Sequence, residues 1–242
     1  MIRKTAIIIG ASSEIGLETA KQLAKNGYNL ALTYNSTEID PSDFKDVDVK
    51  TYKLNLNTLE DEVEEFFSLV QDDFKTFDTL VYCAGVAQKR ALILDVTNEE
   101  IDKLFEVNIK SAIKCVREFA KITANKSGSS IVLVGSFVEK NGCSCESVYA
   151  STKSALTGLC KSLSSELGNL NIRINVVAPG FIDTKMNSNL DAEDKEEIAE
   201  MTPLKRLGVC SDVANAICFL SDDKSSFITG QTLCVDGGLV LE

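Results

Sequence analysis

The sequence predicts an α/β protein, a doubly wound parallel sheet of about seven strands with helices on both faces. Two observations carry this reading. Short, β-rich apolar runs alternate with longer amphipathic stretches along the whole 242-residue chain, the pattern of parallel strands joined by crossover helices. No linker, composition break or internal repeat interrupts the alternation, so residues 1–242 are read as a single domain.

Taken in order, TAIIIG (5–10) is a buried strand, residues 14–26 are a helix and NLALTY (29–34) is the second strand. VKTYKLN (49–55) is the third strand, followed by a helix over 58–74 and the strand DTLVYCAG (78–85). A long helical stretch over 97–124 leads to the strand SSIVLVGS (129–136), a helix over 147–167 and the strand NIRINVVAP (171–179). Residues 181–203 are different, being polar and acidic (DAEDKEEIAE) between two apolar strands. Doubly wound sheets bind ligands at the carboxyl ends of their strands. A segment leaving the strand at Gly180 is therefore expected beside that crevice, as a substrate lid, although a solvated surface helix explains its charges equally well. The helix SDVANAICFLSDD and a last strand in ITGQTLCVDGG complete the chain.

Composition narrows the function. With 44% hydrophobic residues and three prolines the chain buries a large core. A net charge of −11 argues against nucleic acid, which needs clustered Lys and Arg. The apolar run in MIRKTAIIIG is too brief for a signal peptide or a membrane span, so a cytoplasmic protein that neither enters nor spans a membrane is expected. Eight scattered cysteines read as reduced thiols, and Cys143 with Cys145 has no second pair at ligand spacing. The chain has no histidine. That leaves a zinc site improbable, with no metal expected, and removes Ser-His-Asp and Cys-His hydrolases, which lack their base.

Three constellations carry chemistry. The first strand runs into Gly10-Ala-Ser-Ser-Glu-Ile-Gly16, which opens a helix; glycines permit close backbone approach, and the helix N-terminus attracts a pyrophosphate. Tyr149 and Lys153 are four residues apart, on one face of a helix, shortly after the strand that delivers Ser136 to the crevice. Asn108 lies inside the strongly apolar stretch FEVNIKSAI, where an amide needs a partner. A lysine ammonium favours phenolate, so the phenol of Tyr149 is expected to be lowered from its ordinary value.

These motifs resemble the short-chain dehydrogenase/reductase family over essentially the whole chain, and the last stretches, from PLKRLG onward, look most like the 3-oxoacyl-(acyl carrier protein) reductases. The resemblance implies a Rossmann-type fold and a catalytic tetrad of Asn108, Ser136, Tyr149 and Lys153. Tyr149 would protonate the carbonyl oxygen, Ser136 would polarise it, Lys153 would hold the nicotinamide ribose, and Asn108 would anchor a proton-relaying water. The implied cofactor contacts are Gly10, Ser12, Ser13, Ile15, Gly16, Tyr34, Asn35, Ser36, Asn55, Leu56, Cys83, Ala84, Gly85, Pro179, Gly180, Ile182 and Thr184, besides Tyr149 and Lys153. Ile9 and Glu14 replace a threonine and the middle glycine of the family's loop, and Tyr82-Cys83 replaces two asparagines. A carboxylate at Glu14 repels phosphate unless it points to solvent. No acid follows the second strand to hold the 2′-hydroxyl of NAD, so NADP(H) is favoured, with NAD not excluded. The implied substrate is a small-molecule or carrier-linked 3-oxoacyl thioester, or alternatively another ketone, sugar or alcohol, and the implied assembly is a homotetramer. A non-catalytic dinucleotide-binding protein is the third reading. Lys110, Lys114, Lys121 and Lys126 are a candidate strip for an acidic carrier, and Ala150, Leu156 and Leu159 serve either assembly or internal packing.

Overall fold

The computed structural model describes residues 3–57, 62–124, 126, 128–188 and 190–239. The chain opens β1 (Thr5–Ile9), α1 (Glu14–Lys25), β2 (Asn29–Tyr34), β3 (Val49–Lys53), α2 (Glu62–Phe74) and β4 (Thr79–Tyr82). Next come α3 (Asn98–Phe105), a π-helical turn (Glu106–Lys110) and α4 (Ser111–Thr123), which run on without a break. They lead to β5 (Ser129–Val134), the single turn α5 (Val138–Asn141), α6 (Ser147–Leu167) and β6 (Ile172–Pro179). α7 (Ala192–Met201), α8 (Cys210–Ser221) and β7 (Thr232–Val235) finish it. The start of the helix expected over 58–74 lies outside the described residues at 58–61.

All seven strands form one parallel sheet in the order β3-β2-β1-β4-β5-β6-β7. Every residue of β1, β4 and β5 is buried, as central parallel strands covered on both faces require. The edge strands β3 and β7 are half exposed. One face of the sheet packs α2, α4 and α6 around Phe67, Phe77, Tyr82 and Phe119; the other packs α1 and α8 around Ile8, Leu30 and Val132. Leu156 is buried in the first of these cores, with Leu159 packed against it, so the apolar face of α6 serves internal packing.

The strand order reverses between β1 and β4, the point at which the two connecting loops diverge and leave a crevice. That crevice is where the functional residues collect. Among the described residues no helix is long and apolar enough to cross a membrane, and no group of three His, Cys, Asp or Glu side chains stands ready to hold a metal.

Candidate active site

The loop after β1 is shaped by what its glycines allow. Gly10 has φ +78°, and a Cβ there would stand 2.7 Å from the backbone of Ala84, so the loops after β1 and β4 touch. A Cβ on Gly16 would lie 2.5 Å from the Gly10 carbonyl. Ser13 is the N-cap of α1, accepting from the Gly16 N–H at 3.1 Å and donating to the Gly10 carbonyl at 2.8 Å. The result is a helix N-terminus aimed at a cradle too tight for side chains, a place that fits a pyrophosphate. Glu14 does not simply point to solvent: its carboxylate accepts the backbone N–H of Lys185 at 2.5 Å, tying the loop to the segment after β6.

The cleft at the ends of β1, β4, β5 and β6 has a volume of about 1060 Å³. It brings together twelve of the residues expected from sequence: Ser12, Ser13, Ile15, Cys83, Gly85, Ser136, Tyr149, Lys153, Pro179, Gly180, Ile182 and Thr184. Gly10, Gly16, Tyr34, Asn35, Ser36, Asn55, Leu56, Ala84 and Asn108 are not in its lining. Asn35 and Ser36 are exposed beyond the end of β2. The Asn55 side chain accepts from the Asn57 N–H at 3.1 Å, closing its own turn, and the Leu56 carbonyl accepts the Ser111 hydroxyl at 3.2 Å.

Tyr149 and Lys153 sit in the first two turns of α6. The Lys153 ammonium is 5.7 Å from the centroid of the Tyr149 ring and donates to the Val134 carbonyl at 2.8 Å. Burial lowers Lys153 to about 8, against the opposing pull of Cys83 and Glu139. Burial also raises the Tyr149 phenol to about 12, with the Ser136 hydroxyl pulling the other way and Glu146 adding to the rise. The direction is therefore opposite to the lowering expected from the lysine: in the protein alone, loss of water around the phenol outweighs any attraction to the ammonium.

The profile of the family described as Enoyl-(acyl carrier protein) reductase matches residues 10–240. The chain is 34% identical to the 3-oxoacyl-(acyl-carrier-protein) reductase of Staphylococcus epidermidis, over 99% of this chain and 100% of that one. This chain belongs to the short-chain dehydrogenase/reductase family. It is also 34% identical to carbonyl reductase family member 4 of Xenopus laevis, across 98% of each chain. Among solved structures it superimposes on ElxO with NADP bound at a TM-score of 0.90, with 29% identity and 98% of each chain covered. A Serratia marcescens short-chain dehydrogenase/reductase matches at 0.89, with 27% identity over 98% of each chain. The protein is thus an NAD(P)-dependent oxidoreductase of this family.

In this short-chain reductase, Asn108 lies in the π-helical turn, fully buried. Its amide oxygen accepts the Val86 N–H at 2.8 Å; its two N–H groups donate to the Val86 carbonyl at 3.0 Å and the Thr152 hydroxyl at 3.1 Å. Thr152 in turn donates to the Tyr149 carbonyl at 2.8 Å. Asn108 so clamps the loop after β4 to the helix that carries Tyr149.

Sequence reasoning missed Gln88. It is 5% exposed, and its side-chain oxygen accepts the backbone N–H groups of Val148 and Tyr149 at 3.0 and 3.1 Å. Its N–H donates to the Cys145 carbonyl at 3.2 Å. The N-cap residue Glu146 makes no side-chain cap bond, so Gln88 caps α6 in its place. Nothing local marks a cap supplied from the loop after the neighbouring strand, 60 residues earlier.

The segment after β6 walls the cleft through Phe181, Met186, Leu190 and Ile198, and Phe181 stacks on Phe137 with ring centroids 4.9 Å apart. Lys195 of α7 pairs with Asp183 at 2.7 Å. The lysine strip is interrupted by acids: Lys110 and Lys114 flank Glu106 at 3.1 and 3.7 Å, and Lys121 meets Glu118 at 2.9 Å. Lys126 lies past the end of α4, over the Phe77 ring.

Proposed function

We propose that the protein reduces a 3-oxoacyl thioester to the 3-hydroxyacyl thioester with NADPH. The observation that carries this reading is the convergence of Ser136, Tyr149 and Lys153 in one cleft that continues to the glycine cradle and N-terminus of α1. The bound nicotinamide supplies the hydride. Tyr149, held at about 12, keeps its proton at neutral pH and donates it as the carbonyl oxygen gains negative charge. Ser136 donates a hydrogen bond to the same oxygen. Lys153 gives one N–H to Val134, and its remaining N–H groups would hold the nicotinamide ribose while its charge would attract the phenolate left by proton transfer. Asn108 fixes Val86 and Thr152 through its amide N–H groups and, as the family resemblance implies, anchors the water that relays protons.

Supporting NADP over NAD, Thr33-Tyr34-Asn35-Ser36 at the end of β2 offers no carboxylate for a 2′-hydroxyl. Residues 181–203 act as the lid, and their apolar side chains with Phe137 suit an acyl chain. The naming of the Staphylococcus relative supports the 3-oxoacyl thioester. A second reading, a small free ketone, is favoured by the acids paired with Lys110, Lys114 and Lys121, which weaken any basic dock for an acidic carrier.

The test follows absorbance of NADPH, then NADH, with acetoacetyl-CoA, for wild type and Tyr149→Phe. Expected is NADPH oxidation that falls by a factor on the order of 10² or more in the variant, with NADPH binding retained. Turnover of simple ketones without the thioester moves the assignment to the second reading. No turnover of any carbonyl by folded protein overturns both.

A further inference from the structure

Tyr82 is not explained by the reaction described above. It is the last residue of β4, fully buried, and its neighbour Cys83 lines the cleft while its own side chain enters the opposite core beside Cys115 and Phe119. A phenylalanine would fill that core equally well, so the hydroxyl needs a reason. The reason lies in the π-helical turn. There the Ser111 N–H donates to the Glu106 carbonyl, five residues back, instead of the Val107 carbonyl that a regular α-helix would use. The Tyr82 hydroxyl donates to that Val107 carbonyl at 2.5 Å. Burial drives its pKa well above the ordinary value, so it remains a donor at every working pH.

The next residue is Asn108, whose amide reaches Val86 on the loop after β4 and Thr152 on α6. We propose that Tyr82 is a positioning residue for catalysis: by satisfying the carbonyl released at Val107, its hydroxyl holds the π-turn in the register that aims Asn108 at Val86 and Thr152, and so sets Tyr149. This rests on the reductase reading for its kinetic consequence but not for its structural one. A π-turn carries one residue more than the α-turn it replaces, and relaxation to α-helical pairing would rotate Asn108 by roughly 100° about the helix axis, away from both partners.

The experiment compares wild type, Tyr82→Phe, Thr152→Val and the double variant. Amide hydrogen exchange in the ligand-free protein is the first arm, and needs no substrate. Tyr82→Phe is expected to speed exchange at the Val86 N–H, which is bonded to the Asn108 side chain, while amides in α8 on the far face stay protected. The second arm is NADPH-dependent reduction of acetoacetyl-CoA. Tyr82→Phe is expected to lower kcat about tenfold with KM for NADPH unchanged, and the double variant to lose no more than the weaker single one, because both changes break one chain of contacts. Unchanged Val86 exchange, or a lowered melting temperature with intact kcat, overturns the proposal. So do losses that multiply in the double variant. An inactive wild type refutes the reductase reading alone and leaves the exchange arm to decide. If Tyr82→Phe does not fold, Thr152→Val replaces it in the exchange arm: unaltered Val86 protection there breaks the proposed chain.

Discussion

Replacing Lys153 with methionine should abolish reduction and yet make the protein more stable near neutral pH. Lys153 is 5% exposed, and its ammonium is held at about 8 against an ordinary value of 10.5, chiefly by burial. At about 1.4 kcal/mol per pKa unit, keeping it charged costs the folded state roughly 3 kcal/mol. Methionine removes that cost but orphans the Val134 carbonyl, a penalty of about 1–3 kcal/mol. The variant is therefore expected to exceed wild type by about 1 kcal/mol near pH 7, roughly 3 °C in Tm for a chain of this size. The sign reverses with pH. Because the folded pKa lies below the unfolded one, the unfolded chain holds the extra proton between about 8 and 10.5. Wild-type stability thus rises across that window relative to the variant. Above it the neutral amine keeps its bond to Val134, and wild type should lead by about 2 kcal/mol. Urea unfolding of both proteins across this range, taken as a difference, cancels the titrations they share. A difference that stays constant from neutral pH to above 10.5 would refute a strongly depressed, buried Lys153.

Two further outcomes follow from contacts around the cleft. Glu14→Gln keeps an acceptor for the Lys185 N–H but removes a charge at the mouth of the glycine cradle; NADPH binding by fluorescence should tighten about fivefold at low salt, worth about 1 kcal/mol, and shrink with added salt. An unchanged Kd would show that the carboxylate does not face the pyrophosphate. Gln88→Leu should lower stability in urea by about 1–2 kcal/mol by uncapping α6, whereas Gln88→Glu, which keeps acceptors at a helix N-terminus, should retain it; equal stability of the leucine variant and wild type would deny the cap.

The sequence by itself determined the order of strands and helices and the parallel sheet, and it singled out twelve of the residues that line the cleft. Those features rest on local signals: apolar runs in β1, β4 and β5, a glycine loop opening α1, and a four-residue spacing that puts Tyr149 and Lys153 on one helix face. The long stretch over 97–124 was legible as helix, but not the π-turn within it, because periodicity does not reveal one inserted residue. Only the tertiary structure decided what satisfies the turn. Tyr82 reads from sequence as a lost asparagine, and its hydroxyl finds Val107 only once β4 lies against the α3–α4 helix. Gln88 capping α6 and Glu14 meeting Lys185 are likewise contacts between segments far apart in the chain. The direction of the Tyr149 shift is the plainest case. Spacing places a cation beside the phenol, but how much water both groups lose is settled by the packing of strands and loops around them.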